Sequence, residues 1–191
     1  MTGAENISRL KAILQGTGAL VNAPFQVWAL DSSVTDDHVA QMAGWADLEH
    51  LMLSGTLVTD HCLPAIATFE RLAGLDIGGT AITSSGIAAA SIPPDVRDFG
   101  LHDILLDDDA VCAIASLPRL RALNCNGCDL SHRCLLQFLR LPSLRSIEAL
   151  GADMPDSNAE EFTRARPGFL LRLDSGVWKG GKVRRPPGYR A

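Results

Sequence analysis

Apolar positions recur along the chain with a period of 24 residues. One unit opens with Leu48, Leu51 and Leu53 in the order L-x-x-L-x-L and continues with apolar or small residues to position 66. The same order returns at positions 72, 96, 120 and 144 without an insertion, and part of it returns at 168. A fixed period of roughly 20–50 residues is typical of repeat architectures. The pattern therefore predicts about six and a half structural units over residues 25–173.

Each unit predicts a short strand followed by a helix. The apolar residues of the opening segment alternate as on a β-strand, and later ones, such as Leu63 and Ile66, stand three apart as on an amphipathic helix. A side chain suited to cap a helix N-terminus precedes five of the helical segments; these residues are Thr35, Thr59, Thr83, Asp107 and Ser131, and the sixth equivalent position is Pro155. The hydrophobic period and the caps thus predict the same alternation of parallel strands and helices.

The two ends of the chain depart from this pattern. Within residues 1–24, apolar residues at helical spacing predict a capping helix over residues 5–20. Residues 174–191 contain four Gly, two Pro and five basic side chains, so we expect a C-terminal cap near Val177–Trp178 and then a mobile basic tail. The unit at 25–47 is ambiguous, because Trp28 and Val27 compete for the inward position.

The 24-residue period and the L-x-x-L-x-L opening resemble the leucine-rich-repeat superfamily over residues 25–173. The form L-x-x-L-x-L-x-x-T-x-V-T-D-x-x-L is most similar to the bacterial GALA-like and cysteine-containing types. This resemblance implies an α/β right-handed solenoid, with parallel strands on the concave face, helices on the convex face and a binding role for the concave face. The usual Asn/Cys column reads Thr56, Thr80, Ile104, Cys128 and Ala152, which weakens the side-chain ladder of that column.

Composition and charge narrow the class of partner. The 191 residues are 47% hydrophobic, which excludes disorder of the whole chain, and 5% aromatic, which suits a thin aliphatic core. A net charge of −5 argues against a general nucleic-acid binder. Residues 1–98 carry four basic and 11 acidic side chains, whereas residues 99–191 carry 13 and 11. Such a dipolar distribution can orient a partner during encounter.

Neither a signal peptide nor a transmembrane helix is expected. Arg9 and Lys11 interrupt the N-terminal segment before any long apolar run, and the chain contains no stretch of about 18 apolar residues. Five cysteines without a signal peptide favour reduced thiols in a cytoplasmic protein that does not bind membranes. Export by a route independent of a signal peptide stays open.

Outward strand positions supply the candidate binding residues. Arg97, Arg121 and Arg145 share one column, so stacked strands at about 4.8 Å would place them as a ladder. These arginines either belong to an ordinary solvated surface, where Asp98, Glu148 and water neutralise their charge, or they anchor an acidic strip of a protein partner. The predicted contacts are Asp76, Arg97, His102, Arg121, Asn124, Asn126, Arg145 and Glu148.

Two clusters could carry chemistry instead. Cys125, Cys128, His132 and Cys134 have the zinc-like spacing C-x2-C-x3-H-x-C, but the 24-residue frame places both cysteines of the CxxC in the core, where cysteine behaves as a small hydrophobe. His102 with Asp76, Asp98 and Asp103 is the nearest arrangement to an acid/base cluster, and no nucleophile–base–orienter set is apparent. We therefore expect no metal, no cofactor and no enzymatic activity.

The leading hypothesis is a non-catalytic scaffold that binds a protein through the concave strand face, as an adaptor, an immunity protein or an effector. One alternative is a structural subunit of a larger assembly. Another, from a different class, is a zinc- or thiol-dependent site at the CxxC cluster. The identity of the partner and the oligomeric state stay open.

Overall fold

A computed structural model describes residues 3–22 and 25–187 as an α/β protein with one mixed sheet. Within these residues ten strands follow one another in chain order, and helices lie between the parallel ones. The strands are β1 (Leu20–Val21), β2 (Gln26–Trp28), β3 (His50–Met52), β4 (Gly74–Asp76), β5 (Asp98–Gly100), β6 (Ala122–Asn124), β7 (Ser146–Glu148), β8 (Leu170–Leu173), β9 (Gly176–Lys179) and β10 (Lys182–Arg184).

Strands β2 to β8 pair in parallel, and the pairs at both ends of the sheet are antiparallel. The helices are α1 (Gly3–Ile13), α2 (Asp36–Gln41), α3 (Leu63–Ile66, preceded by a 3-10 turn at Asp60–Cys62), α4 (Ser84–Ala89), α5 (Asp108–Ala115), α6 (His132–Leu139) and α7 (Asp156–Ala165). Among the described helices, none combines the length and apolar character needed to cross a lipid bilayer.

Parallel neighbours are in register at a step of 24 residues. The central residue of each parallel strand pairs with the equivalent residue of the next and is almost fully buried; these residues are Val27, Leu51, Leu75, Phe99, Leu123, Ile147 and Leu171. In the ambiguous first unit Val27 points inward, whereas Trp28 is 44% exposed. Because side chains alternate along a strand, the residues on either side of each central residue face outward.

A left-handed residue follows each of the first six parallel strands. The φ angles at this position are positive throughout, at Asp31, Gly55, Gly79, Asp103, Gly127 and Gly151. Glycine adopts this region without steric cost, and aspartate is among the few other residues that visit it. The common turn returns the chain from the strand toward the helix layer at the same place in each unit.

The predicted helix caps are confirmed. Thr83 Oγ1 accepts a hydrogen bond from the Gly86 N–H at 3.0 Å, and Asp107 Oδ1 accepts one from the Ala110 N–H at 2.9 Å. Thr35, Thr59 and Ser131 also stand at helix or 3-10 N-caps. Each side-chain oxygen that accepts such a bond satisfies an amide that lacks a partner within its helix.

Both ends differ from the expectations of the sequence pattern. Helix α1 ends at Ile13 rather than near residue 20, because Gly16 and Gly18 adopt positive φ and turn the chain into strand β1. At the other end, Trp178 is buried as part of the β9–β10 hairpin, and Lys182–Arg184 form a strand rather than a mobile tail. Residues 188–191 of the predicted tail lie outside the described residues.

Candidate functional site

The outward side of the sheet, opposite the buried central residues, is the candidate site, and we call it the strand face. One column across it contains Trp28, Met52, Asp76, Gly100, Asn124, Glu148 and Arg172, each in register with the next. The character of this column changes along the sheet. It is apolar on β2 and β3, and from β4 onward it is polar or charged except at Gly100.

Arg97, Arg121 and Arg145 stand together at the starts of three adjacent strands. The Arg121 N–H donates to the Arg97 carbonyl at 2.7 Å, and the Arg145 N–H donates to the Arg121 carbonyl at 2.7 Å. All three residues are exposed. The backbone therefore holds these three residues, the arginine ladder, in consecutive positions along one edge of the strand face.

The acidic residues expected to neutralise the ladder do not pair with it. Within residues 3–22 and 25–187, neither Arg97 nor Arg121 forms an ion pair, and neither does Asp98. Glu148 instead lies 3.5 Å from Arg172 on the next strand. Arg145 Nη1 donates to the carbonyl of Pro142 at 3.1 Å, a contact with a neutral acceptor.

A fourth arginine adds positive charge beside the ladder. Arg166 donates to the carbonyls of Leu139 and Leu144 at 2.7 and 2.6 Å, and its guanidinium lies 4.8 Å from the centre of the Phe169 ring. Burial, and then the charge of Arg145, lower the pKa of Arg166. This influence of Arg145 is the expected one for a nearby like charge.

His102 and Asp76 meet on the strand face, together with Ser54, which is not among the predicted contacts. His102 Nε2 lies 3.1 Å from Ser54 Oγ, and His102 Nδ1 lies 3.8 Å from Asp76 Oδ1. The imidazole packs over Gly78, where an added Cβ would overlap with the ring. Residues 54, 78 and 102 are separated by two successive steps of 24 residues. The sequence period therefore already places Ser54 and His102 in the same column.

This serine–histidine–aspartate arrangement lacks parts that nucleophilic catalysis requires. The 3.8 Å separation is too long for a hydrogen bond, so His102 Nδ1 is buried without a partner among the described residues. The neighbouring amides of Gly55 and Gly79 donate to the carbonyls of Gly78 and His102. These two amides are therefore not free to stabilise an oxyanion.

Asn124 and Asn126, both predicted contacts, also hold the strand ends in place. Asn124 Oδ1 accepts a hydrogen bond from the Asn126 N–H at 3.2 Å, and Asn126 Oδ1 accepts one from the Leu150 N–H at 2.8 Å. Asp76 Oδ1 similarly accepts the Gly78 N–H at 3.0 Å. Their carbonyl or carboxylate oxygens thus serve the turns, while the two amide NH₂ groups remain as donors.

The four residues with zinc-like spacing are not arranged around a common point. Cys125 and Cys128 are 1% exposed, and their thiols donate to the carbonyls of Glu148 and Leu101. Cys134 lies on α6, where its thiol contacts Ser131 and Asp108. Across the described ranges, no group of three or more His, Cys, Asp and Glu side chains could hold a metal ion.

Burial also makes the core thiols poor nucleophiles. It raises the pKa of Cys128 to about 11, and it raises the pKa of Cys125 well above its ordinary value, with the charge of Cys128 as a second cause. Because the thiolate is the reactive form and the usual metal ligand, these thiols are poorly suited to redox or metal chemistry.

No protein-family model matches the chain, and a search of curated proteins found no match.

Proposed function

We propose that this protein is a non-catalytic, protein-binding scaffold of the leucine-rich-repeat type. In this proposal the strands and helices form a right-handed solenoid, and the strand face is its concave binding surface. The single observation that carries the proposal is the arginine ladder. Its three arginines occupy consecutive positions along the sheet, are exposed and form no ion pairs among the described residues.

Folding stability does not account for the ladder. Neighbouring strands lie about 4.8 Å apart, and like charges at that distance repel one another. Arginine is enriched at the energetic centres of protein interfaces and binds carboxylates through two parallel hydrogen bonds. A partner that carries an acidic strip would relieve the repulsion and gain charge-assisted hydrogen bonds, so such a partner suits the ladder best.

Two of the most common interface residue types occur on this face. Trp28 is 44% exposed at the apolar end, and the arginines occupy the edge of the charged end. Tryptophan and arginine together are typical of residues that contribute most to binding. The similarity to bacterial repeat proteins favours a cytoplasmic adaptor, an immunity protein or an effector as the biological role.

The proposal is tested by reversing the central charge of the ladder. The full chain and its Arg121→Glu variant are used to capture proteins from an extract of the cells that naturally make the protein. Arg133→Glu is the matched control, because it makes the same charge change at an exposed position in the first turn of α6, on the helix side. Negative charge is favourable near a helix N-terminus, so the control should fold normally.

We expect a specific partner to bind the wild type and the Arg133→Glu control, and to be lost with Arg121→Glu. Binding to wild type should also weaken as salt is raised, because exposed charges are screened. Capture that survives Arg121→Glu at full strength would contradict the proposal. It would instead favour a structural subunit that uses another surface of the chain.

A further inference from the structure

An acidic cavity opens on the strand face beside the arginine ladder. Its volume is about 300 Å³, and its lining includes Gly100 of β5, which has no side chain. The polar and charged side chains at its lining are Asp76, Asp98, Asn124, Ser146 and Glu148. None of the lining residues is basic.

The negative charge of the cavity is only weakly compensated. Asp98 is exposed and forms no ion pair within the described part of the chain. Glu148 and Arg172 are 3.5 Å apart, with side chains about half exposed, and Asp76 lies 3.8 Å from His102. The Glu148–Arg172 pair is exposed and contributes little energy, so a basic side chain of a partner could displace Arg172.

Gly100 has no side chain, and the carboxylate of Asp76 lies directly over it. A Cβ added at Gly100 would overlap with the carboxylate of Asp76. The neighbouring outward residue on β6, Ala122, is also small. Any larger residue at position 100 would therefore occupy the space between the carboxylates or push Asp76 out of it.

An apolar surface lies at a defined distance from this cavity. Leu20 and Trp28 are paired across β1 and β2, are 62% and 44% exposed, and belong to the same face. The register Trp28, Met52, Asp76, Gly100 spans three strand spacings, which is about 14 Å at 4.8 Å each. An extended polypeptide covers that distance in about four residues.

We propose that the strand face binds an extended protein segment that places a lysine or arginine side chain in the Gly100 cavity. A large apolar side chain about four residues away contacts Leu20 and Trp28. The argument is one of charge complementarity, since Asp76, Asp98 and Glu148 line the cavity and no basic residue does. It deepens the proposed function and rests on it, because the ladder recognises acidic groups on the same partner.

The experiment selects short linear peptides of random sequence on the immobilised full-length protein, with no assumption about the natural partner. Selected peptides should carry Lys or Arg with an aromatic or aliphatic residue about four positions away. Their affinity should fall by about two- to fivefold with Asp98→Asn, because Asp98 is exposed and a single exposed ion pair contributes little. Asp109→Asn, at an exposed position in the first turn of α5, is the control and should leave affinity unchanged.

Gly100→Leu provides a second variant, which fills the cavity without removing a carboxylate and should also abolish binding of the basic peptides. Circular dichroism establishes that each variant is folded. Peptides without a basic residue that are sensitive to Arg121→Glu but not to Asp98→Asn would overturn this inference and leave the proposed function intact. Failure to select any peptide, or selection of peptides insensitive to both substitutions, would count against both.

Discussion

The carboxylate of Asp60, at the start of the 3-10 turn before α3, binds Thr83, the N-cap of α4. Asp60 Oδ1 accepts the Thr83 N–H at 2.7 Å, and Asp60 Oδ2 accepts the Thr83 hydroxyl at 2.7 Å. Asp36 makes the same two bonds to Thr59, at 2.8 and 2.7 Å. The residue after one helix cap thus holds the cap of the following unit, which links successive units on the side away from the strand face.

Asp60→Ala should therefore lower the free energy of unfolding by about 1–2 kcal/mol, because two charge-assisted hydrogen bonds are lost at a partly exposed site. Urea denaturation followed by circular dichroism measures the change. Asp109→Ala is the control: its side chain is exposed in the first turn of α5, so it should lose only the helix-dipole contribution of about 0.3–1 kcal/mol. Equal losses for the two variants would show that the link to Thr83 has no energetic importance.

Gly55→Ala should destabilise the fold by more than about 1 kcal/mol. Gly55 has φ +68°, and an added Cβ would overlap with the carboxylate of Asp31. Gly168→Ala serves as the matched control, because a Cβ there would have no heavy atom within 4 Å and its φ is not in the left-handed region. Thermal unfolding of both variants tests the prediction, and it is wrong if the two midpoints fall by the same amount.

A thiol reagent should label one cysteine of the folded protein rapidly. Cys112 is exposed, whereas the other four cysteines are buried. Burial raises the pKa of Cys62 to about 12, so at about pH 8 its thiol is protonated as well as inaccessible. Colorimetric titration should report one fast thiol in buffer and five in denaturant, and Cys112→Ser should remove the fast one. A second fast thiol in the folded protein would contradict the described core.

Stability should fall as the pH rises from about 9 toward 12. Burial, and then the charge of Asp36, raise the pKa of Cys62 from 9.0 to about 12, so the folded state retains a proton that the unfolded state releases above pH 9. Stability decreases with pH wherever the unfolded state binds fewer protons. Urea midpoints at about pH 8 and pH 10 should therefore differ more for the wild type than for Cys62→Ala. An identical difference in both proteins would exclude this contribution.

Protein purified without a chelator should contain no stoichiometric zinc. Cys125→Ala should lower stability, because it leaves a small void beside packed neighbours, and it should not change metal content. Elemental analysis of the wild type and the variant checks both statements. One equivalent of zinc in the wild type that is lost in the variant would restore the zinc- or thiol-site hypothesis for the CxxC cluster.

Much of the architecture follows from local patterns in the sequence. Alternation on each strand and the cap before each helix are short-range properties, so Leu123 could be placed inward and Thr83 at a helix start without a structure. The 24-residue period also places Arg97, Arg121 and Arg145 side by side, because equivalent positions of parallel strands meet in register.

Long-range pairings required the tertiary structure. The N-terminal helix stops at Ile13, and strand β1 and the β9–β10 hairpin form by antiparallel pairing at the sheet ends, where the 24-residue period carries no information. The contact of Ser54 with His102 and the pairing of Glu148 with Arg172 depend on which neighbour a side chain reaches. Exposed pairs differ too little in energy for sequence spacing to choose between them.

The sequence by itself therefore determined the alternation of strands and helices, the inward columns and the arginine ladder, because each of these repeats with the chain. Only the tertiary structure decided that Asp98 and Glu148 do not act as counterions of the ladder. It also decided that Asp76, Asp98 and Glu148 line one cavity beside Gly100. Both features depend on side-chain positions across neighbouring strands, and a periodic pattern leaves those positions undetermined.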